Sequence, residues 1–263
     1  MTPKTNNTEG NENMQQQVSP EEWKMRVDLA AAYRLIASYG WDDLIFTHIS
    51  ARVPGTEDEF LINPFGFMFN EISASNLVKI NGKGEKTAES LYPVNPAGFT
   101  IHSAVHQVRH DAACVIHLHT IAGTAVATDP RGLLPLNQTA LLIRDDVSYH
   151  DFEGVALDLD ERPRLQSDLG DKNIMLLRNH GTLALGGTVA EAFMRIYFIE
   201  RACEMQVATL SSSGGAFYET KQSVQDKVAE QGRDEETALQ SANLLAWPAL
   251  LRQLDRLDPS YKS

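Results

Sequence analysis

Cysteine, long apolar runs and clustered basic residues are all scarce in this 263-residue chain. The two cysteines, Cys114 and Cys203, stand in apolar patterns typical of reduced core residues, so we expect no disulfide and a cytoplasmic protein. No apolar run is long enough to span a membrane, and the polar N-terminus does not resemble a signal peptide. A net charge of −12 without Lys/Arg clusters argues against nucleic acid and membrane surfaces as partners.

The remaining composition is that of an ordinary globular protein, with 43% hydrophobic and 22% charged residues. The length suffices for one large α/β domain or two small ones with a substantial core. Residues 1–17 are polar and rich in Asn and Gln, which predicts a disordered leader over 1–18. Residues 211–243 are again polar and predict a mobile segment or a loose helix.

The spacing of apolar residues predicts both helices and strands. Ser19 and Glu22 form a capping box at the start of a helix that ends at Gly40. Thr188 and Glu191 form a second capping box before the longest amphipathic helix, which continues through residue 207. Further helices are expected at 96–109 and 123–127, and strands at 44–53, 59–62, 77–80, 115–120, 139–149 and 174–178.

The most informative stretch is the apolar strand 115–120, which contains His117 and His119. Alternate side chains of a strand point to the same face, so the two imidazoles lie side by side. A polar pair in an apolar strand is costly to bury unless something satisfies it, and imidazole is a common metal ligand. His180 is the best candidate for a third ligand, because it ends an apolar strand at a glycine where the chain turns.

Five further histidines are weighed against a plain structural role. His102, His106 and His110 recur every four residues on the helix before the central strand, so they share one stripe. We expect His106 and His110 to face solvent, and we place His102 nearest the site, as a fourth ligand or as a hydrogen-bond partner behind the ligands. His48 and His150 stand at strand or loop ends, where a substrate-facing role and a surface role are equally expected.

Several ordered motifs together resemble the class II aldolase/adducin family over roughly residues 20–215. They are the helix and strand around Ala97–Ala104, the His117–His119 strand, the Arg178–Gly181 turn, the Ala192–Phe193 helix and, for the adducin-head branch in particular, the segment Tyr149–Gly154. The resemblance implies an α/β fold with three α/β/α layers and a mostly antiparallel central sheet. It also implies a domain at 19–215, followed by a polar segment and C-terminal extension at 216–263.

In this family the sugar-phosphate aldolases hold a divalent ion, commonly zinc, on the histidines that match His117, His119 and His180. The ion stabilises an enediolate beside the substrate carbonyl. The family usually forms homotetramers with active sites at subunit interfaces, so the resemblance also implies a homotetramer. Three imidazoles with an open position describe a catalytic metal site better than a closed structural one.

The departures from those aldolases are equally specific. Their catalytic glutamate, nineteen residues before the first ligand histidine, corresponds here to Gly98. Two phosphate-binding serines correspond to Pro96 and Ala97, and a phosphate-binding Gly-Asn pair is replaced around Thr47–His48. Their proton-donating tyrosine has no clear counterpart in Pro135–Thr139. A typical sugar-phosphate aldolase is therefore not expected.

We predict instead a divalent-metal-dependent carbon–carbon lyase, of the aldolase or decarboxylase type, acting on a small unphosphorylated oxo- or hydroxy-carboxylate. Zinc is the first expectation for the ion, with manganese, cobalt or iron as alternatives. His102 and His48 are the candidate catalytic residues beside the three ligands. Arg178 either contacts the substrate or forms a structural ion pair. The alternatives are a non-catalytic adducin-like oligomerisation module and a non-haem Fe(II) oxygenase.

Overall fold

A seven-stranded sheet forms the middle of the residues that the computed structural model describes, 14–156 and 158–263. Its strand order is β3-β2-β1-β4-β7-β6-β5. The strands are β1 (His48–Arg52), β2 (Glu59–Ile62), β3 (Val78–Asn81), β4 (Cys114–Leu118), β5 (Val147–His150), β6 (Ile174–Leu177) and β7 (Gly181–Gly186). The strand that carries His117 is therefore the central one.

The sheet is mixed, because β5 and β6 run parallel while the other neighbouring strands of the described chain are antiparallel. A parallel pair needs a crossover connection, and the helix Arg162–Leu169 supplies it between these two strands. The expectation of a mostly antiparallel sheet did not include this pair. Neither the helix at 162–169 nor the strand β7 was predicted from the sequence.

Helices cover both faces of the sheet. They are α1 (Pro20–Tyr39), α2 (Pro96–Val108), α3 (Ile121–Thr128), α4 (Gln138–Ile143), α5 (Arg162–Leu169), α6 (Val189–Ser213), α7 (Gln222–Gly232), α8 (Glu235–Gln240) and α9 (Trp247–Leu257). Residues of α1, α3, α6 and α9 share one core with one face of the sheet, whereas α2 and α5 share a second core with the other face. The arrangement is α/β with three layers. None of the helices within these residues is long and apolar enough to cross a membrane.

The start of α1 confirms the predicted cap but not the capping box. The Ser19 hydroxyl accepts the Glu22 N–H at 3.1 Å, and Gly40 ends the helix with a left-handed φ of 68°. The Glu22 carboxylate does not accept the backbone N–H of Ser19, as a capping box requires. It accepts from the buried Arg26 at 2.9 Å and from Lys79 at 2.8 Å, so a tertiary ion pair replaces the local bond.

The predicted strand at 139–149 is wrong over its first half. Residues Gln138–Ile143 form α4, a 3-10 turn follows at Arg144–Asp146, and only Val147–His150 is extended. The side chain of Asn137 accepts the N–H of Ala140 at 2.9 Å, which caps the helix. A short run of aliphatic residues fits either structure, and the cap decides it here.

The polar C-terminal segment is mostly helical. It contains α7 and α8, a π-helical turn at Ser241–Ala246, and α9, from which Trp247 and Leu254 are buried in the main core. Of the leader expected at 1–18, residues 1–13 lie outside the described part of the chain, and residues 14–17 form a helical turn.

Candidate metal centre

His117 lies on the central strand β4 and is completely buried. It pairs in register with His48 on β1 and faces the same side of the sheet as the second core. Its Nδ1 lies 2.9 Å from the carbonyl oxygen of Thr182, to which it donates. Because Nδ1 holds the ring proton, Nε2 is left with a lone pair.

His119 follows β4 directly, where Thr120 caps α3. Its Nδ1 lies 3.1 Å from Oδ2 of Asp43, and this carboxylate also directs the proton to Nδ1. A carboxylate behind a metal-ligating histidine orients the ring and raises its basicity. Sequence reasoning missed Asp43, because it lies 76 residues away in an irregular segment with no distinguishing pattern.

His180 is presented by the tight turn between β6 and β7. Asn179 adopts a left-handed φ of 56°, and the His180 N–H donates to the carbonyl of Leu177 at 3.0 Å. At the next position a Cβ would collide with the carbonyl oxygen of Leu118, so Gly181 is required for β7 to pack against β4. The predicted strand–turn arrangement therefore brings His180 to the end of β4.

The structure brings the Nε2 atoms of these three histidines together. They lie 2.9 Å apart for His117–His119, 2.9 Å for His119–His180 and 3.2 Å for His117–His180. Two nitrogens bound to one tetrahedral ion at about 2.0–2.1 Å are roughly 3.3 Å apart. Since His117 and His119 direct lone pairs inward, this donor set fits a divalent cation. Among the described residues, these three form the one cluster of at least three His, Cys, Asp or Glu side chains that could share an ion.

Burial keeps His117 and His180 neutral. The pKa of His117 is lowered well below its usual value, first by burial and then by the neighbouring His180 and His119. The pKa of His180 is lowered to about 4, again mainly by burial. A histidine must be unprotonated at its ligating nitrogen to bind a metal, so His117 and His180 are in the required form at neutral pH.

Behind the trio lies a buried chain of four polar side chains. His48 Nδ1 lies 2.8 Å from His102 Nε2, His102 Nδ1 lies 2.6 Å from the Ser50 hydroxyl, and that hydroxyl lies 2.8 Å from His106 Nε2. The prediction that His106 faces solvent is wrong: it is 3% exposed and stacks on the ring of Phe60. The stripe prediction missed this because spacing along a helix does not identify which face is buried.

The structure also resolves the predictions for three other histidines. His48 is 2% exposed and its ring lies 5.1 Å from that of His117, so the surface alternative is wrong for it. His102 has both ring nitrogens in hydrogen bonds, which places it behind His48 rather than among the trio. The pKa values of both are lowered well below the usual value, chiefly by burial. His110 is exposed, as expected.

His150 is also buried, which excludes the surface alternative for it. Its Nδ1 lies 2.7 Å from Asp168 and its Nε2 lies 3.2 Å from Glu161. Together with Arg178 and His180, it lines a small cavity. Two carboxylates on one ring hold it firmly in place.

The Arg178 side chain makes contacts within the fold. Its guanidinium lies 4.3 Å above the ring of Tyr149, and Nη1 donates to the carbonyl of Asp129 at 2.8 Å. Neither alternative predicted from the sequence, a substrate contact or an ion pair, describes these contacts. The guanidinium instead stacks on a ring and ties β6 to the end of α3.

Glu200 on α6 joins two segments of the centre. Its carboxylate accepts hydrogen bonds from Thr120, which follows His119, and from Thr182 at 2.5 Å, whose carbonyl holds His117. Glu200 is fully buried, and burial raises its pKa to about 7. Sequence reasoning missed it, although an acid among the buried apolar residues of a helix is a recognisable signal.

Comparisons with known proteins identify the family of this chain. The profile of the class II aldolase and adducin N-terminal domain matches residues 27–207. A Pseudomonas aeruginosa protein that bears a provisional class 2 aldolase name is 54% identical over 254 residues, covering 95% of this chain and 96% of that protein. Mouse alpha-adducin is 46% identical over 194 residues, which are 73% of this chain and 26% of the adducin.

Solved structures give the same result. An aldolase II superfamily protein from Pseudomonas syringae has a TM-score of 0.89 at 44% identity, covering 95% of this chain and 100% of that chain. L-fuculose 1-phosphate aldolase from Glaciozyma antarctica shares the fold, with a TM-score of 0.79 at 22% identity, covering 100% of this chain and 97% of that one. The chain belongs to the class II aldolase and adducin N-terminal domain family.

Proposed function

We propose that this protein is a divalent-metal-dependent carbon–carbon lyase, of the aldolase or decarboxylase type. The observation that carries the proposal is the convergence of the His117, His119 and His180 Nε2 atoms within 3.2 Å of one another. A divalent ion held there would polarise a carbonyl or carboxylate oxygen and stabilise negative charge on the adjacent carbon. Both retro-aldol cleavage and decarboxylation need such stabilisation.

The protein's own residues define the rest of the proposal. Thr182 and Asp43 hold the rings of His117 and His119, so that their lone pairs point inward before any ion binds. His48 lies against His117 and is the buried side chain best placed to meet a substrate, with His102 as its partner. These two keep the catalytic roles proposed from the sequence.

We propose a small unphosphorylated oxo- or hydroxy-carboxylate as the substrate. The support is chemical: the two serines that hold phosphate in sugar-phosphate aldolases are replaced at 96 and 97, and the catalytic glutamate is replaced by Gly98. Decarboxylation requires no initial removal of a proton from carbon, so it tolerates the missing carboxylate. A carboxylate substrate can bind the ion through its own oxygen.

The ion, the assembly and the location are also proposals. We favour zinc, because three imidazoles with an open position are its usual catalytic arrangement, with manganese, cobalt or iron as alternatives. A homotetramer follows from the family resemblance. The burial of Cys114 and Cys203 as free thiols supports a reducing, cytoplasmic environment.

The main alternative is a non-catalytic oligomerisation module, and the 46% identity to alpha-adducin favours it. Against it, an idle trio of converging histidines would be costly to bury. A non-haem Fe(II) oxygenase is a third candidate, although the usual iron site includes a carboxylate among its ligands. Oxygen consumption with iron but not with zinc would support the oxygenase.

The test is elemental analysis of protein purified without an affinity metal, followed by a screen of oxo- and hydroxy-acids for carbon dioxide or aldehyde release. We expect about one ion per chain, and loss of that ion in His180→Ala, because two imidazoles bind far more weakly than three. The exposed His110→Ala is the matched control. A consistently metal-free protein, or unchanged metal in His180→Ala, would contradict the proposal.

A further inference from the structure

The hydrogen bonds that link His48, His102, Ser50 and His106 all run in one direction, because the last acceptor is a backbone carbonyl. His106 Nδ1 lies 3.2 Å from the carbonyl oxygen of Ala112, and a carbonyl can only accept. His106 therefore carries its proton on Nδ1 and has a lone pair on Nε2. The Ser50 hydroxyl, 2.8 Å away, must donate its single proton to that lone pair.

The same reasoning continues to the metal side. Since the Ser50 proton is used, its oxygen accepts from His102 Nδ1 at 2.6 Å, which leaves a lone pair on His102 Nε2. That lone pair accepts from His48 Nδ1 at 2.8 Å. His48 is thereby fixed with its proton on Nδ1 and a bare Nε2, and within the described residues Nδ1 is the only hydrogen-bonded atom of its ring.

The glycine at position 98 gives His48 its space. A Cβ at Gly98 would lie 2.7 Å from Cδ2 and 3.1 Å from Nε2 of the His48 ring, closer than side chains tolerate. Any larger residue there would displace the ring.

We propose that the bare Nε2 of His48, whose ring fills the space beside Gly98, serves as the hydrogen-bond acceptor of this active site and accepts the hydroxyl of a hydroxy-carboxylate substrate. Ser50, His102 and His106 are positioning residues that fix the tautomer of His48. The inference rests on the proposed lyase function for its substrate class. The inference also predicts the substrate specificity: an acid that carries a hydroxyl donor binds better than the same acid without one.

The tautomer is tested first, in metal-free protein, by solid-state NMR of the ¹⁵N-labelled histidines, with His48 assigned from the His48→Gln spectrum. We expect a protonated Nδ1 and a bare Nε2 in the wild-type protein. Ser50→Ala breaks the chain and is expected to give a mixture of tautomers at His48, whereas Ser50→Thr keeps the hydroxyl and one tautomer. The matched control is Ser103→Ala, which removes a buried hydroxyl whose hydrogen bond among the described residues goes to the carbonyl of Thr100. A proton on Nε2 of wild-type His48 overturns the proposal.

Substrate selection is tested with the zinc-loaded protein, using glycolate and acetate, which differ by one hydroxyl, as calorimetric probes. One net hydrogen bond predicts that glycolate binds about five- to tenfold more tightly than acetate. An equal mixture of tautomers in Ser50→Ala would leave half of the His48 rings able to accept, so the preference should fall by about half, to roughly three- to fivefold, and stay unchanged in Ser103→Ala. Equal binding, or binding of neither acid by the wild-type protein, overturns the proposal.

Two outcomes separate this inference from the proposed function. If zinc loading moves the His48 Nε2 resonance together with those of His117, His119 and His180, His48 is a fourth ligand and the acceptor role is overturned while the lyase survives. If His48 has the fixed tautomer and glycolate is preferred, but no oxo- or hydroxy-acid is cleaved, the acceptor role stands and the lyase function fails.

Discussion

The buried His106 predicts a specific loss of stability in acid. Its pKa is lowered from 6.5 to about 3, first by burial and then by the nearby Arg52. The unfolded chain therefore binds the proton more readily than the folded protein between these two pKa values, and stability falls as the pH falls below 6.5. Between pH 8 and pH 5 this residue alone should cost about 2 kcal/mol of unfolding free energy.

The perturbation is His106→Gln, which keeps a donor and an acceptor but cannot titrate. Urea unfolding of metal-free protein, at pH 8 and pH 5 and one protein concentration, gives the unfolding free energy for each variant. We expect the loss between the two pH values to be smaller by about 2 kcal/mol in His106→Gln than in the wild-type protein. The exposed His110→Gln should behave like the wild-type protein. An equal loss in His106→Gln and wild type would refute the assignment of a buried, neutral His106.

Three further predictions follow from other buried contacts. Asp43→Ala should weaken metal binding about ten- to hundredfold in a chelator competition, because His119 loses the carboxylate that orients it; unchanged affinity would contradict that role. Glu200→Gln should gain stability relative to the wild-type protein as the pH rises from 4.5 to about 7, because in that range the unfolded chain loses the Glu200 proton while the folded protein keeps it. Urea unfolding at several pH values measures this gain, and a difference that does not change with pH would refute it. Arg26→Ala should cost about 2–4 kcal/mol in urea unfolding, because the buried carbonyls of Ala74 and Leu77 lose their donor and Glu22 keeps only Lys79; a cost below about 1 kcal/mol would contradict the structural role of Arg26.

The metal-site prediction depended on local rules that the sequence carries. The period of a strand places His117 and His119 on one face, and a glycine after His180 marks a tight turn at a strand end. What brings the turn to the strand is the antiparallel pairing of β4 with β7, which the sequence suggests only through the family resemblance. The three histidines could therefore be selected from eight before their separation was known.

The parts that could not be predicted all depend on tertiary contacts. The burial of His106 is set by Ser50 and Phe60 on neighbouring strands, and nothing in the helix period specifies which stripe they cover. Asp43 reaches His119 from an irregular segment, and α4 forms where an aliphatic run suggested a strand because Asn137 provides a cap. Local periodicity identified the ligands and most of the long elements, but not α4, α5, β7 or the partners that orient the ligands.

The most direct test of the central claim is X-ray absorption spectroscopy of the protein loaded with one equivalent of zinc. Three converging imidazoles with an open position predict about three nitrogen ligands at about 2.0–2.1 Å, with the multiple-scattering pattern of histidine, and one further light-atom ligand. His117→Ala should lose one imidazole from that pattern. A zinc environment without imidazole scattering, or one that is identical in His117→Ala, would contradict the account.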